Sequence, residues 1–258
     1  MALFDCNFFA STLGISTAMT VIVPQATGAA QIGMAGSSGT RKTFPVLYLL
    51  HGLSDDHTIW LRRTSIERYV AAMNLIVVMP NAHRSFYSDM KYGGNYWQFL
   101  SEELPEIVAG FFPASSRRED TFAAGLSMGG YGALKLGLRR PDRFAAVASL
   151  SGVTDIAARR DTFPEVFQSI FGESSPRDTE DDLFYLSSRL AAGKETAPRI
   201  FLCCGTEDFL YEDNLQFRDH LKKIGLAADY REKPGTHEWG FWDDNIREVL
   251  AWLPLEKN

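Results

Sequence analysis

A serine stands between glycines in Gly125-Leu126-Ser127-Met128-Gly129, directly after the run Thr121-Phe122-Ala123-Ala124. Taken alone, G-x-S-x-G is a weak signal, because glycine and serine are ordinary turn residues. Its setting sharpens it. The serine falls where strand-like sequence gives way to helix-like sequence, so a tight turn can display its hydroxyl above a sheet. Gly125 and Gly129 lack Cβ atoms, which lets neighbouring backbone close in around a residue held in a strained conformation. The helix beginning beside Ser127 leaves backbone N–H groups near its Oγ. The pattern suits a nucleophile; the competing reading is a glycine-rich turn that happens to contain a serine.

A serine hydroxyl is a poor nucleophile without a base. The sequence holds five histidines. His220 lies among Arg218, Asp219 and Lys222 in a helical stretch and reads as a surface residue. His51 follows a buried strand and reads as a brace for the next loop, while His57 and His83 sit in polar loops without evident partners. His237, in Gly235-Thr236-His237-Glu238-Trp239, lies after the last strand, where the chain order nucleophile, acid, base puts the base. The acid should lie between the two and follow a strand. Asp208 in CCGTEDFLY has that position, with Glu207 and Asp213 as rivals; an acid there would fix the histidine tautomer and stabilise the imidazolium formed during attack. Two backbone N–H groups should face the developing oxyanion, one at Met128 and one at Leu53 in the loop after His51-Gly52. Trp60 and Trp239 flank these segments and are candidates for substrate contact, with core packing as the alternative.

These residues need elements to position them. Strand-like sequence covers residues 4–11, 17–23, 44–50, 75–80, 121–126, 144–149, 200–204 and 228–233. Several of these runs are continuously apolar, as suits strands covered on both faces. Helical patterns cover 59–73, 96–112, 128–138, 214–224 and 245–253. The alternation implies an α/β fold, a mostly parallel sheet flanked by helices, in one domain spanning residues 1–258. Residues 154–198 break the rhythm and read as a cap-like insertion over the carboxyl edge of the sheet. Residues 25–43, rich in Gly, Ser and Ala, read as a surface loop. Of the aromatic clusters, Phe99 and Phe111-Phe112 read as core, and Phe184-Tyr185 as core, lid or interface.

With 258 residues, 45% of them hydrophobic, the chain can bury a sizeable core. Its net charge of −6, without a basic stripe, argues against a nucleic-acid partner. Three cysteines make no disulfide framework. The first residues, MALFDCNFFASTLG, lack the basic start of a signal peptide, and no apolar run is long enough to span a bilayer. A cytoplasmic protein without a membrane partner is the expectation, and a homo-oligomer is compatible with the sequence.

Beyond these residues, the chain resembles the esterase D branch of the α/β-hydrolase superfamily, and within it the bacterial tributyrin esterases. The resemblance rests on VLYLLHGLSDDHTIWLRRTSIERY, NLIVVMPN, GLSMGGYGALKL, ASLSG, CGTEDFLY and GTHEWGFW. It implies a triad of Ser127, Asp208 and His237, an oxyanion hole from Leu53 and Met128, and a carboxylesterase for short acyl esters that needs no cofactor and no metal. S-formylglutathione hydrolases and feruloyl or acetylxylan esterases share these motifs, so the chemistry is better specified than the substrate. A non-catalytic binding module would be expected to break the triad, and no member is missing.

Overall fold

The computed structural model describes residues 1–25, 32 and 42–255, so most of the loop expected over 25–43 lies outside the described residues. Eight strands form one sheet: β1 (Ala2–Ala10), β2 (Ile15–Val23), β3 (Val46–Leu50), β4 (Ile76–Pro80), β5 (Thr121–Leu126), β6 (Ala146–Leu150), β7 (Arg199–Gly205) and β8 (Asp229–Lys233). Their spatial order is β1-β2-β4-β3-β5-β6-β7-β8. β1 and β2 form an antiparallel hairpin and β2 joins β4 antiparallel; every later pairing is parallel. A mostly parallel sheet flanked by helices is thus the observed architecture.

The central strands β3 to β7 are buried on both faces because their side chains alternate between two cores. On one face Tyr48, Val78, Ala123, Val147 and Leu202 pack beneath helices; on the other Leu49, Val77, Phe122, Ala148 and Phe201 do the same. Helices α1 (Ile59–Arg63), α2 (Ile66–Val70) and α9 (Trp239–Trp252) cover the second face. The first is covered by α3 (Tyr96–Gln98), which runs through a π-helical turn at Phe99–Glu103 into α4 (Leu104–Phe111), and by α5 (Met128–Arg139), α6 (Pro164–Phe171), α7 (Leu183–Ala192) and α8 (Tyr211–Lys223). No helix among the described residues is long and apolar enough to cross a membrane.

Some elements differ from the sequence expectation, each for a local reason. The helix expected over 59–73 breaks in two because Thr64 is extended, and its Oγ1 accepts the Ile66 N–H at 3.1 Å to restart the helix. The closing helix begins at Trp239 rather than 245, since Glu238 caps it by accepting the Gly240 and Phe241 N–H groups. Phe111 is exposed, contrary to its expected place in the core, while Phe112 turns inward against Phe4. Phe184 packs on Phe217, and Tyr185 faces solvent.

Segment 154–198 carries α6 and α7, and a fully buried lysine fastens it to α5. Lys135 Nζ donates to Asp181, to Ser88 Oγ at 2.8 Å and to the Tyr87 carbonyl at 3.1 Å. Burial pushes Lys135 down from the usual lysine range, and the adjacent Asp181 carboxylate works against that push. Removing one member of such a pair leaves a desolvated charge, although the partial exposure of Asp181 softens the penalty. Lys135→Met is therefore expected to lower unfolding free energy by about 2 kcal/mol in urea titrations, and adding Asp181→Asn should restore part of it. Equal stability of Lys135→Met and the native chain would mean that the pair contributes nothing.

Candidate active site

Ser127 is the single residue between β5 and α5, and its backbone is strained, with φ 53° and ψ −116°. A non-glycine residue persists there only when its surroundings over-determine it. They do: Ser127 N–H donates to the Leu150 carbonyl at 3.0 Å, and its own carbonyl accepts from Tyr131 at 3.1 Å and Val153 at 3.2 Å. A Cβ on Gly125 would overlap the Gly129 carbonyl, and one on Gly129 would overlap the carbonyls of Leu50 and His51. The two glycines let three backbone segments meet beneath the serine.

Above the sheet, the loops after β7 and β8 complete a line of hydrogen bonds. His237 Nε2 lies 3.0 Å from Ser127 Oγ, and His237 Nδ1 lies 2.8 Å from Asp208 Oδ2. A carboxylate only accepts, so Nδ1 carries the proton and Nε2 faces the hydroxyl as acceptor. The Asp208 side chain is fully buried, and its other oxygen accepts the Leu210 N–H at 2.9 Å. Such a line can move a proton from the serine to the imidazole while oxygen attacks a carbon centre.

The rival carboxylates do other work. Glu207 accepts the Gly235 N–H at 2.6 Å, a bond that holds its carboxyl below the usual range, and so ties the histidine loop to the end of β7. Asp213, on α8, pairs with Arg159 of segment 154–198. Neither touches His237.

A cavity of about 740 Å³ opens over Ser127. Leu53, Phe163, Phe209, Trp239 and Trp242 supply its apolar lining, with Asp55, Arg84 and Glu238 as charged lining. Burial pushes the Asp55 carboxyl upward. Met128 is the first residue of α5, where an N–H has no acceptor within the helix. Leu53 lines the same cavity, whereas Met128 is fully buried and directly follows Ser127, which does line it. Trp239 lines the cavity; Trp60 does not. Trp60 is 1% exposed and donates to the Leu50 carbonyl at 3.0 Å, which makes it core support beneath the Leu53 loop. Phe163 and Phe209 escaped the sequence reading, one because it belongs to the irregular segment, the other because an aromatic in a loop carries no spacing signal.

The remaining histidines lie elsewhere. His57 sits 3.7 Å from Asp5, and His83 is packed edge-on to Tyr96. His220 is half-buried rather than on the surface, set against Phe184 and 3.1 Å from Ser188 Oγ. Burial lowers its proton affinity.

The family described as "Putative esterase" matches residues 37–253. The chain belongs to that esterase family. An acetyl esterase of Caldicellulosiruptor saccharolyticus is 31% identical over 98% of both chains. Among solved structures, the substrate-bound fluorophosphonate-binding serine hydrolase FphF of Staphylococcus aureus is 36% identical, with a TM-score of 0.88 over 99% of both chains. The S-formylglutathione hydrolase FrmB of the same organism is also 36% identical, with a TM-score of 0.85 over 98% of both. The protein is a carboxylic ester hydrolase with the α/β-hydrolase fold.

In this esterase, His51 acts as the expected brace. Its Nδ1 donates to the Gly52 carbonyl at 2.7 Å, and its Nε2 accepts the Ala82 N–H at 3.0 Å, which requires a neutral ring. The ring thereby joins the Leu53 loop to the loop that follows β4. Burial pushes its protonation down from 6.5 to about 4. The unfolded chain therefore takes up a proton that the folded chain refuses. This contribution is complete above pH 6.5 and is lost as pH falls towards about 4. His51→Gln keeps a donor and an acceptor but cannot titrate. The stability gap between native and variant protein, from urea unfolding, should shrink by about 3 kcal/mol from neutral pH to the acid end. A gap that does not change with pH would refute the buried neutral ring.

Proposed function

We propose that this esterase hydrolyses short-chain acyl esters, acetyl to butyryl and tributyrin among them, through an acyl-enzyme on Ser127. The carrying observation is the continuous line Ser127 Oγ, His237, Asp208 at the floor of an aromatic-walled cavity. In acylation, Ser127 Oγ bonds to the ester carbonyl carbon as its proton passes to His237 Nε2. The carbonyl oxygen takes up negative charge facing the Leu53 and Met128 N–H groups. Collapse breaks the bond to the alcohol oxygen, which leaves with the proton from His237. Water then repeats the sequence against the acyl-enzyme and releases the acid. Asp208 holds the ring and stabilises its charged form throughout.

The esterase D motifs, with their likeness to tributyrin esterases, favour placing the chain in that branch. Residues 154–198 serve as the cap of a single domain, a role supported by Phe163 in the cavity wall. The likeness to FrmB supports a second reading, in which a thioester is the better substrate. Rates with S-formylglutathione and with a simple acetate ester separate the two.

Ser127→Ala should leave a folded protein whose turnover falls by about a thousandfold or more, and should abolish labelling by a fluorophosphonate probe. Asp208→Asn should be severely impaired while Glu207→Gln retains most activity; the reverse result would make Glu207 the acid.

Chain-length preference follows from the shape of the cavity. Each methylene that finds no apolar contact forgoes about 0.8 kcal/mol of burial, so kcat/KM should drop steeply once the aromatic walls are reached. The charges of segment 154–198, among them Arg159, Arg160, Asp161 and Glu173, suit an aqueous setting better than a lipid surface. Measured on p-nitrophenyl esters from acetate to palmitate, kcat/KM should peak at or before butyrate, without activation at the solubility limit. A maximum at octanoate or beyond would overturn the short-chain assignment.

A further inference from the structure

Phe209 directly follows the buried Asp208, yet its own side chain is 60% exposed. Its ring centroid lies 4.7 Å from that of His237, tilted by 54°. Trp242 also packs against this imidazole, at 4.8 Å and nearly perpendicular. Trp242 is braced by Trp239 at 5.2 Å, and Trp239 by the core residue Trp60 at 5.4 Å. The imidazole therefore has a rigid aromatic stack beside it, reaching down to the Leu50 carbonyl, and a separate exposed ring as a second neighbour. Asp208 and Ser127 fix the two nitrogens, but hydrogen bonds at both ends of a ring leave it free to rock about the line joining them. Contacts on the ring itself oppose that motion.

A phenyl ring also carries negative charge density on its face, which attracts a cation more than a neutral ring. The base is neutral at rest and cationic once it has taken the serine proton. A ring 4.7 Å away therefore interacts more favourably with the state formed during attack than with the resting state. We infer that Phe209 is a positioning residue for this reaction: its ring keeps His237 in line between Asp208 and Ser127 and favours the imidazolium over the imidazole. The inference rests on the proposed role of His237 as base.

Other charged groups surround the histidine, and a change at Phe209 leaves their chemistry alone. Asp208 is bonded to it, and Glu238 is committed to the first turn of α9. Glu207 holds Gly235, while Asp55 and Arg84 line the same cavity.

The test compares native enzyme, Phe209→Leu and Phe209→Tyr on p-nitrophenyl acetate from acid to mildly alkaline pH, with circular dichroism as the check on folding. Leucine keeps an apolar side chain but no ring; tyrosine keeps the ring. Phe209→Leu should lower plateau kcat by about two- to fivefold, with KM nearly unchanged. It should also move the acid limb of kcat/KM to lower pH by about half a pH unit, since the protonated base has lost its aromatic neighbour. Phe209→Tyr should restore both. If Phe209→Leu changes KM alone, with the acid limb in place, Phe209 is only a wall for substrate and the inference fails. It fails equally if tyrosine does not restore the profile. Either result leaves the esterase assignment standing, because that assignment falls only if Ser127→Ala stays active.

Discussion

The backbone of Ser127 is held where an L-residue does not rest by choice, and much of the molecule is arranged to keep it there. Strain of this kind costs on the order of 1–3 kcal/mol. It is met from three sides: β3 brings the Leu50 and His51 carbonyls against Gly129, β6 supplies the Leu150 carbonyl, and α5 closes the turn through Tyr131. Every residue of α5 from Met128 to Leu138 is buried, so the helix cannot rotate to relieve the turn. The glycines make that arrangement possible, since a methyl group on either would collide with main-chain atoms that cannot move aside.

Positioning His237 is a different physical problem. β8 is an edge strand and mostly exposed, so hydrophobic burial cannot fix the loop that leaves it. Polar tethers take over. Glu207 and Gly235 exchange two hydrogen bonds, the Thr206 N–H reaches the Lys233 carbonyl, and Glu238 anchors the far side of the loop by capping α9. Gly235 has a φ of 156°, and a Cβ on Gly205 would strike its carbonyl, so the two loops meet at closely packed backbone. His237 is thus placed by the same segment that carries Asp208, and the distance between the two side chains is set locally. Only the span to Ser127 depends on the sheet as a whole.

The strands were legible because period-two alternation and continuous apolar runs are local signals, and β3 to β7 carry them undiluted. The chain order of Ser127, Asp208 and His237 was legible for a similar reason: each residue follows a strand that can be read from its own composition. What separates Asp208 from Glu207 is invisible at that level, because adjacent carboxylates differ only in which way the loop turns them. One faces inward to the Leu210 N–H and His237, the other outward to Gly235. Trp60 and Trp239 illustrate the same limit. Both indoles flank loops near Ser127, but one is buried beneath the Leu53 loop and the other lines the cavity, a difference made by helix placement in three dimensions. The start of α9 was missed because its capping residue follows His237 directly, so the sequence there carries loop and helix signals together.

Segment 154–198 had the least readable sequence, and its anchoring bears on how substrate reaches the serine. Polar bonds fix it at its start and in its second half. Arg159 and Thr154 hold the start to Asp213, Lys135 and the Tyr131 hydroxyl hold Asp181 to α5, and Arg139 holds Glu180 at 2.9 Å. Three of these anchoring residues, Tyr131, Lys135 and Arg139, come from α5, the helix that also secures the strained serine. Swinging the segment away would strip Lys135 of its carboxylate inside the core, a cost that contact with substrate would have to offset. The wall bearing Phe163 therefore behaves as a fixed boundary. A fixed boundary selects by size and shape at the moment of binding, whereas a hinged one selects by what induces it to open. With the Ser127 turn, the His237 loop and segment 154–198 all held by interactions present before any ligand arrives, the cavity is largely pre-formed, and little binding energy has to be diverted into assembling it.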